Sequence, residues 1–273
     1  MNTQGERAEA ISLLGTPLFG PVAAEPEEMG RLQQALSDAE EQYQADPSDC
    51  GKLAAYAQAL AGVWRFRDSI EVYNRGLEKW PGEAMLYCDR GHRFISIRQF
   101  AKAQADLAHS AQLKDDSWDI YYHLGIAHWM LADFEGAERA FGICYDLTPD
   151  ESHQVAVTDW LYMSRRRLGR VASAEPLLAD IHPEMKTTGN NHCYLYKLLF
   201  YKGELSEPEL VERSKRKGLA PSTVGFGLGC WHLYSGSPGR ARQIFGEIVQ
   251  GKYWPAFGFL GAEAELSRMQ AQV

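Results

Sequence analysis

The stretch WDIYYHLGIAHWMLADFEGAERAFGICYDLTPDE, residues 118–151, decides how the chain is read. Within it stand Tyr121, Leu124, Gly125 and His128, then Ala137 and Phe141, and finally Pro149. Working outward, Pro47, Pro81, Pro149 and Pro183 fall on one grid of 34 residues, with Asp115 at the remaining position. A fixed period of that length marks an array of supersecondary units. At 273 residues the chain exceeds the usual size of one compact core. A solenoid escapes that limit because each repeat contacts only its neighbours, so one elongated domain is expected.

The pattern Tyr121-x2-Leu124-Gly125-x2-His128, Ala137-x3-Phe141, Pro149 resembles the tetratricopeptide repeat. The resemblance implies an all-α fold, a right-handed α-solenoid of antiparallel helix pairs, and a broad class of work, the binding of other proteins. In such a unit small residues at the eighth and twentieth positions let the two helices cross closely, and a large one at the twenty-fourth fills the gap to the next helix. Ala57, Ser69 and Tyr73 take these places in the unit 50–83, and Gly91, Ala103 and Leu107 in the unit 84–117. The unit 118–151 matches best. The unit 152–185 diverges, with Asp159, Val171 and Glu175 at the three positions.

Upstream, residues 27–49 read as half a unit acting as a cap, with Met29, Leu32, Leu36 and Tyr43 on one amphipathic face. After Pro183 the grid slips into a loop, and a divergent hairpin follows at 189–219. Its second helix is opened by Ser206-x-x-Glu209 as a capping box. The last clear unit, 222–254, has Gly229, Ala241 and Phe245 at the diagnostic places. A final helix within 255–272 is expected to cover the end of the stack, as terminal repeats do. No strand pattern competes.

Lys and Arg number 28 against 36 Asp and Glu, a net charge of −8, which gives no footprint for nucleic acid or an anionic membrane. The start lacks a secretory h-region, and no stretch approaches the roughly 18 apolar residues of a membrane span. A cytoplasmic, soluble protein is the expectation. Five cysteines without a Cys-x-x-Cys pair argue for reduced, buried thiols.

In the family resembled, the second, fifth, ninth and twelfth residues of each first helix commonly touch the ligand. Carried across, the candidate groove comprises Met85, Cys88 and His92; Tyr122, Ile126 and Trp129; His153, Trp160 and Met163; Lys197 and Phe200; and Phe226. Tyr122, Trp129, Trp160 and Phe226 are the expected anchors, with His92 and His153 as orienting hydrogen-bond groups. The carboxylate grip that some relatives use is missing, Lys197 being the lone basic candidate. Bare together, these rings would rival the largest patch usual on a soluble monomer, about 300–600 Å². Either a guest covers them, or closure of the superhelix buries them as core. One built-in guest is the extended apolar N-terminal segment, residues 1–26, through Leu13, Leu14, Leu18 and Phe19.

No catalytic signature appears, and no cofactor or metal is expected. Cys88 with His92, joined by Asp119 and His123, is the alternative metal or thiol site. Gly225-x-Gly227-x-Gly229 is not preceded by a strand and reads as close helix packing. The basic runs Arg165-Arg166-Arg167 with Arg170, and Arg213 to Lys217, end predicted helices and suit the negative end of the helix dipole. The reading is a non-enzymatic scaffold or adaptor holding a protein or peptide in an aromatic groove. The alternative is a homo-oligomeric structural subunit joined through faces around Leu32 and Leu260.

Overall fold

The computed structural model describes residues 7–21, 26–215 and 220–271. It is an all-α array of packed antiparallel helix pairs that divides into two compact units, residues 1–115 and 116–273. The division falls at Asp115, where the grid lacks its proline.

In the first unit α1 (Pro26–Ala45) packs Leu36, with Met29, Leu32 and Tyr43 beside it, on α2 (Cys50–Gly62). Two full hairpins follow: α2 with α3 (Phe66–Lys79), and α4 (Ala84–Ser96) with α5 (Phe100–Leu113). The second unit begins with α6 (Trp118–Met130) and α7 (Phe134–Asp146). Next come α8 (Glu151–Arg167), a short α9 (Val171–Ala174) and a 3-10 turn, Glu175–Leu178. Then follow α10 (His192–Tyr201), α11 (Glu207–Ser214), α12 (Ala220–Tyr234), α13 (Pro238–Ile248) and α14 (Phe257–Ala271).

The repeat is visible in the backbone. Trp64, Arg98 and Ala132, 34 residues apart, each hold φ near +60° at the turn between the two helices of a pair. Gly169, Gly203 and Gly236 do the same in the later pairs. The step to Gly169 is longer because α8 has 17 residues where α6 has 13. A side chain in this region costs about 1–2 kcal/mol, and glycine offsets only about 0.5–1 of that through unfolded-state entropy. Ala132→Gly is therefore expected to raise stability by roughly 0.5–1 kcal/mol. A rise in the urea midpoint at unchanged slope checks it, and a lower midpoint would contradict it.

Small and large positions meet within a pair. A β-carbon on Gly125 would lie 2.5 Å from the Phe141 ring, one on Gly91 2.8 Å from Leu107, and one on Gly229 2.3 Å from Phe245. The large residue thus packs back onto the first helix of its own pair, and Phe141 also reaches the next helix, stacking on Trp160 at 5.8 Å. The divergent fourth pair shows what happens without this lock. With Asp159 at the small position, its second helix shrinks to α9 and the 3-10 turn, and Ala174, Leu178, Ile181 and Met185 pack with Tyr162 and Leu198 instead.

The capping box at the start of α11 is present. The Glu209 backbone N–H donates to the Ser206 hydroxyl at 3.4 Å, and the Ser206 N–H donates to the Glu209 carboxylate at 2.8 Å.

The N-terminal segment differs from the expected extended tail. It folds as a small antiparallel hairpin, β1 (Ala10–Ile11) with β2 (Pro17–Leu18). The Ser12 hydroxyl closes its turn by accepting from the N–H groups of Leu14 and Thr16. Gly15 supplies the positive φ, 86°, that this turn requires. The hairpin is held at the start of α3. The Glu9 carboxylate accepts from the Arg67 N–H at 3.0 Å, and Arg67 Nε donates to the carbonyls of Ala8 and Glu9. Burial pushes the Glu9 carboxyl above its ordinary pKa. Leu18 is buried, Leu14 and Phe19 are half-buried, and Leu13 is exposed. These hydrogen bonds run to the second helix of a pair, not to the first helices α2 and α4. Residues 1–6 and 22–25 of the segment lie outside the described residues.

Candidate ligand pocket

The groove residues separate sharply by depth. In the second unit the ninth and twelfth positions of α6 and α8 are interior, Ile126 and Trp129 0% exposed, Trp160 1% and Met163 0%, and so is the fifth-position Phe226 at 1%. Trp129 and Trp160 meet edge to face at 5.6 Å, Phe226 lies 5.6 Å from Trp160, and Phe141 stacks on Trp160 at 5.8 Å. Trp129, Trp160 and Phe226 are therefore core, closed upon one another, and offer no surface to a partner. In the first unit Cys88 is buried too, while Met85 and His92 are half-buried. A thiol sealed in this way is no ready nucleophile.

The final helix does more than cover an end. Gly258 to Leu266 are buried on every side of α14, Glu263 and Glu265 being 1% exposed, whereas a capping helix would present a wet polar face. It packs on α12 and α13 and also reaches α6. A β-carbon on Gly261 would stand 2.5 Å from the Phe226 ring, so the glycine is what lets α14 lie so close. Arg268 donates to the carbonyls of Trp129 and Met130 at 2.8 Å, satisfying the last turn of α6. Glu265 bridges Arg268 at 2.6 Å and Arg167 at 3.1 Å. The chain's own helix thus takes up room that the sequence reading leaves to a guest. Leu260, expected on an association face, is 0% exposed beneath it.

Lys197 is also withdrawn from any partner. Its ammonium lies 2.6 Å from Asp159, both side chains are at most 1% exposed, and it sits 4.6 Å over the Tyr194 ring. Burial pushes the Asp159 carboxyl up, with the Lys197 charge acting against that shift. Phe200 is half-buried, edge to face with Trp231. The arginine run is spent internally. Arg165 and Arg170 bind Glu138, Arg166 lies 5.0 Å over Trp231, and Arg167 holds Glu265. Arg213 covers the Tyr196 ring at 5.0 Å, while Arg216 and Lys217 fall outside the described residues.

What stays open is the ring of first turns. A pocket of about 300 Å³ is lined from α6 by Trp118, Tyr122 and His123, and from α8 by His153 and Ala156. Asn190, Asn191 and Tyr194 at the start of α10, Thr223 of α12, and Ala256 with Phe257 at the start of α14 complete it. Trp118 stacks on Tyr122 at 4.4 Å, and His153 meets Trp118 edge-on at 4.7 Å. The floor is hydrogen-bonded: Trp160 Nε1 donates to the Tyr122 hydroxyl at 3.2 Å, which pairs with the Tyr194 hydroxyl at 3.2 Å. Burial drives the Tyr122 phenol well above its ordinary pKa, so it stays neutral. The Asn191 amide donates to the Ser152 carbonyl at 2.9 Å and fixes the α10 start on α8. His153 Nδ1 lies 2.8 Å from the Asp150 carboxylate, which also accepts the His153 backbone N–H at 2.9 Å. These bonds hold the Asp150 carboxyl below the usual carboxylate range. Among the described residues no three His, Cys, Asp or Glu side chains gather as a metal-holding group, and no helix is long and apolar enough to cross a membrane.

Of the groove residues, Tyr122 and His153 line this pocket, with Ala156, Asn190 and Thr223 from the same second and fifth positions. Trp118, Tyr194 and Phe257 were not singled out as ligand contacts. Trp118 opens its helix, one place before the first position considered. Phe257 belongs to the helix read as a cap.

No family model matches the chain. Over 90 residues, 33% of its length, it is 26% identical to tetratricopeptide repeat protein 12 of Mus musculus, the match spanning 13% of that protein. Over 104 residues, 37% of its length, it is 28% identical to Hsc70-interacting protein 1 of Drosophila melanogaster, spanning 28% of that protein. The matched segments thus cover less than a third of these relatives. Among solved structures it is similar to YrrB, titled a TPR protein with an unusual peptide-binding site: 12% identity, 88% of this chain, 100% of that chain, TM-score 0.49. A structure of MamA matches at 15% identity over 64% of this chain and 93% of that one, TM-score 0.48.

Proposed function

We propose that this chain, similar in sequence to tetratricopeptide repeat proteins, is a non-enzymatic scaffold that holds a protein partner by an extended peptide seated in the pocket at the first turns of α6, α8, α10, α12 and α14. The observation that carries this is the coincidence of ring, imidazole and amide groups lining one preformed concavity of about 300 Å³. That volume lies at the low end of ligand sites, about 300–1,000 Å³, and suits one or two side chains, not a whole helix. Stacked, hydrogen-bonded rings lose little freedom on binding. One relative is named for interaction with Hsc70. The pocket here has no Lys or Arg in its lining, so a grip on a terminal carboxylate is not part of the proposal.

Peptides selected from a random display library on the full chain are the test. Trp118→Ala should weaken the selected peptides at least about tenfold, as loss of a central aromatic anchor does, while the near-ultraviolet circular dichroism keeps its native form. Selected peptides that bind wild type and Trp118→Ala equally would place the ligand elsewhere and defeat the reading.

A further inference from the structure

We propose that the side chain this pocket takes is cationic, an arginine or lysine of the bound peptide; the inference rests on the pocket being the ligand seat. Ring faces attract a cation through their quadrupole when it stands within about 6 Å. The Trp118–Tyr122 stack, Tyr194 and Phe257 supply rings to its lining. Tyr194 already carries one cation, the buried Lys197 ammonium at 4.6 Å, whose charge Asp159 neutralises at 2.6 Å.

The carboxylates next to lining residues point the same way. Asp119 is exposed one residue beyond Trp118, and Asp150 is exposed and tied to His153. His153 Nδ1 faces a carboxylate oxygen that can only accept, so this nitrogen carries a proton. The starts of α10 and α14 have no acidic residue in their first turns. Their partial positive ends are each roughly half a charge and confined to one turn. The chain as a whole carries −8.

Blocked amino acids titrated into the full-length protein separate the possibilities. The readout is the Trp118 indole resonance, identified by its loss in Trp118→Phe. N-acetyl-arginine amide and N-acetyl-lysine amide are expected to shift it saturably, with N-acetyl-glutamate amide leaving it in place. Asp150→Asn, whose amide oxygen can still accept from the His153 N–H, should weaken the arginine probe by roughly two- to fivefold, the scale of an exposed ion pair. Tighter saturation by N-acetyl-leucine amide or the glutamate probe would overturn the cationic assignment and leave the pocket standing as the seat. If none of the probes moves the resonance, both readings fall.

Discussion

Asp159→Ala is expected to cost the C-terminal unit about 3–5 kcal/mol, because it strands the Lys197 ammonium in the interior without its partner. Against a total of about 5–15 kcal/mol for a typical fold, that is enough to bring the unit near unfolding at ambient temperature. The pair is sealed: a β-carbon on Gly227 would lie 2.3 Å from the Lys197 side chain and 2.5 Å from the Tyr201 hydroxyl, so α12 closes directly over it. No water can readily replace the lost carboxylate. Replacing both charges, Asp159→Leu with Lys197→Met, should recover most of the loss, since apolar pairs of similar volume are commonly as stable as a buried ion pair. Urea unfolding of the three chains decides it. A single variant within about 1 kcal/mol of wild type would mean the pair is solvated, contrary to its burial.

Trp129→Ala is the second large lesion, with an expected loss of about 3–5 kcal/mol. Its ring touches Trp160 at 5.6 Å, Phe134 at 5.0 Å and Phe226 at 6.3 Å, so removal opens a cavity where α6, α8 and α12 meet. Loss of near-ultraviolet dichroism, and loss of partner capture only as a consequence, should accompany it. At the half-exposed Trp118 the same truncation should spare the fold and strike binding. Were Trp129→Ala to keep native stability and lose binding alone, the assignment of this ring to the core would be wrong.

The contrast between these two tryptophans marks where sequence reasoning held and where it stopped. The helix pairs were legible because proline spacing, the small and large positions, and the Ser206–Glu209 box are local chemistry repeated at a fixed interval. The inner-face positions were legible as a list, but their depth was not. Whether Trp129 faces a hollow or a neighbour depends on how tightly successive pairs curl, and that is set by contacts between distant helices, such as Gly261 on Phe226. The final helix reads as a cap over the end of the stack, yet Glu265 is buried and met by Arg167 and Arg268. Asp159 looked like a flaw in the repeat, and Lys197, 38 residues on, explains it. The N-terminal hairpin escaped notice because its strands are two residues long and depend on Ser12 and Gly15 for the turn.

The central claim is that in the C-terminal unit Trp129, Trp160 and Phe226 are interior, whereas Trp118, Tyr194 and Phe257 at the pocket are partly open to solvent. Hydroxyl-radical footprinting of the full-length protein, read residue by residue by mass spectrometry, tests it most directly. Trp118, Tyr194 and Phe257 should be oxidised readily, with Trp129, Trp160 and Phe226 protected until the protein unfolds. Oxidation of Trp129 and Trp160 at the rate of Trp118 under native conditions would contradict the account.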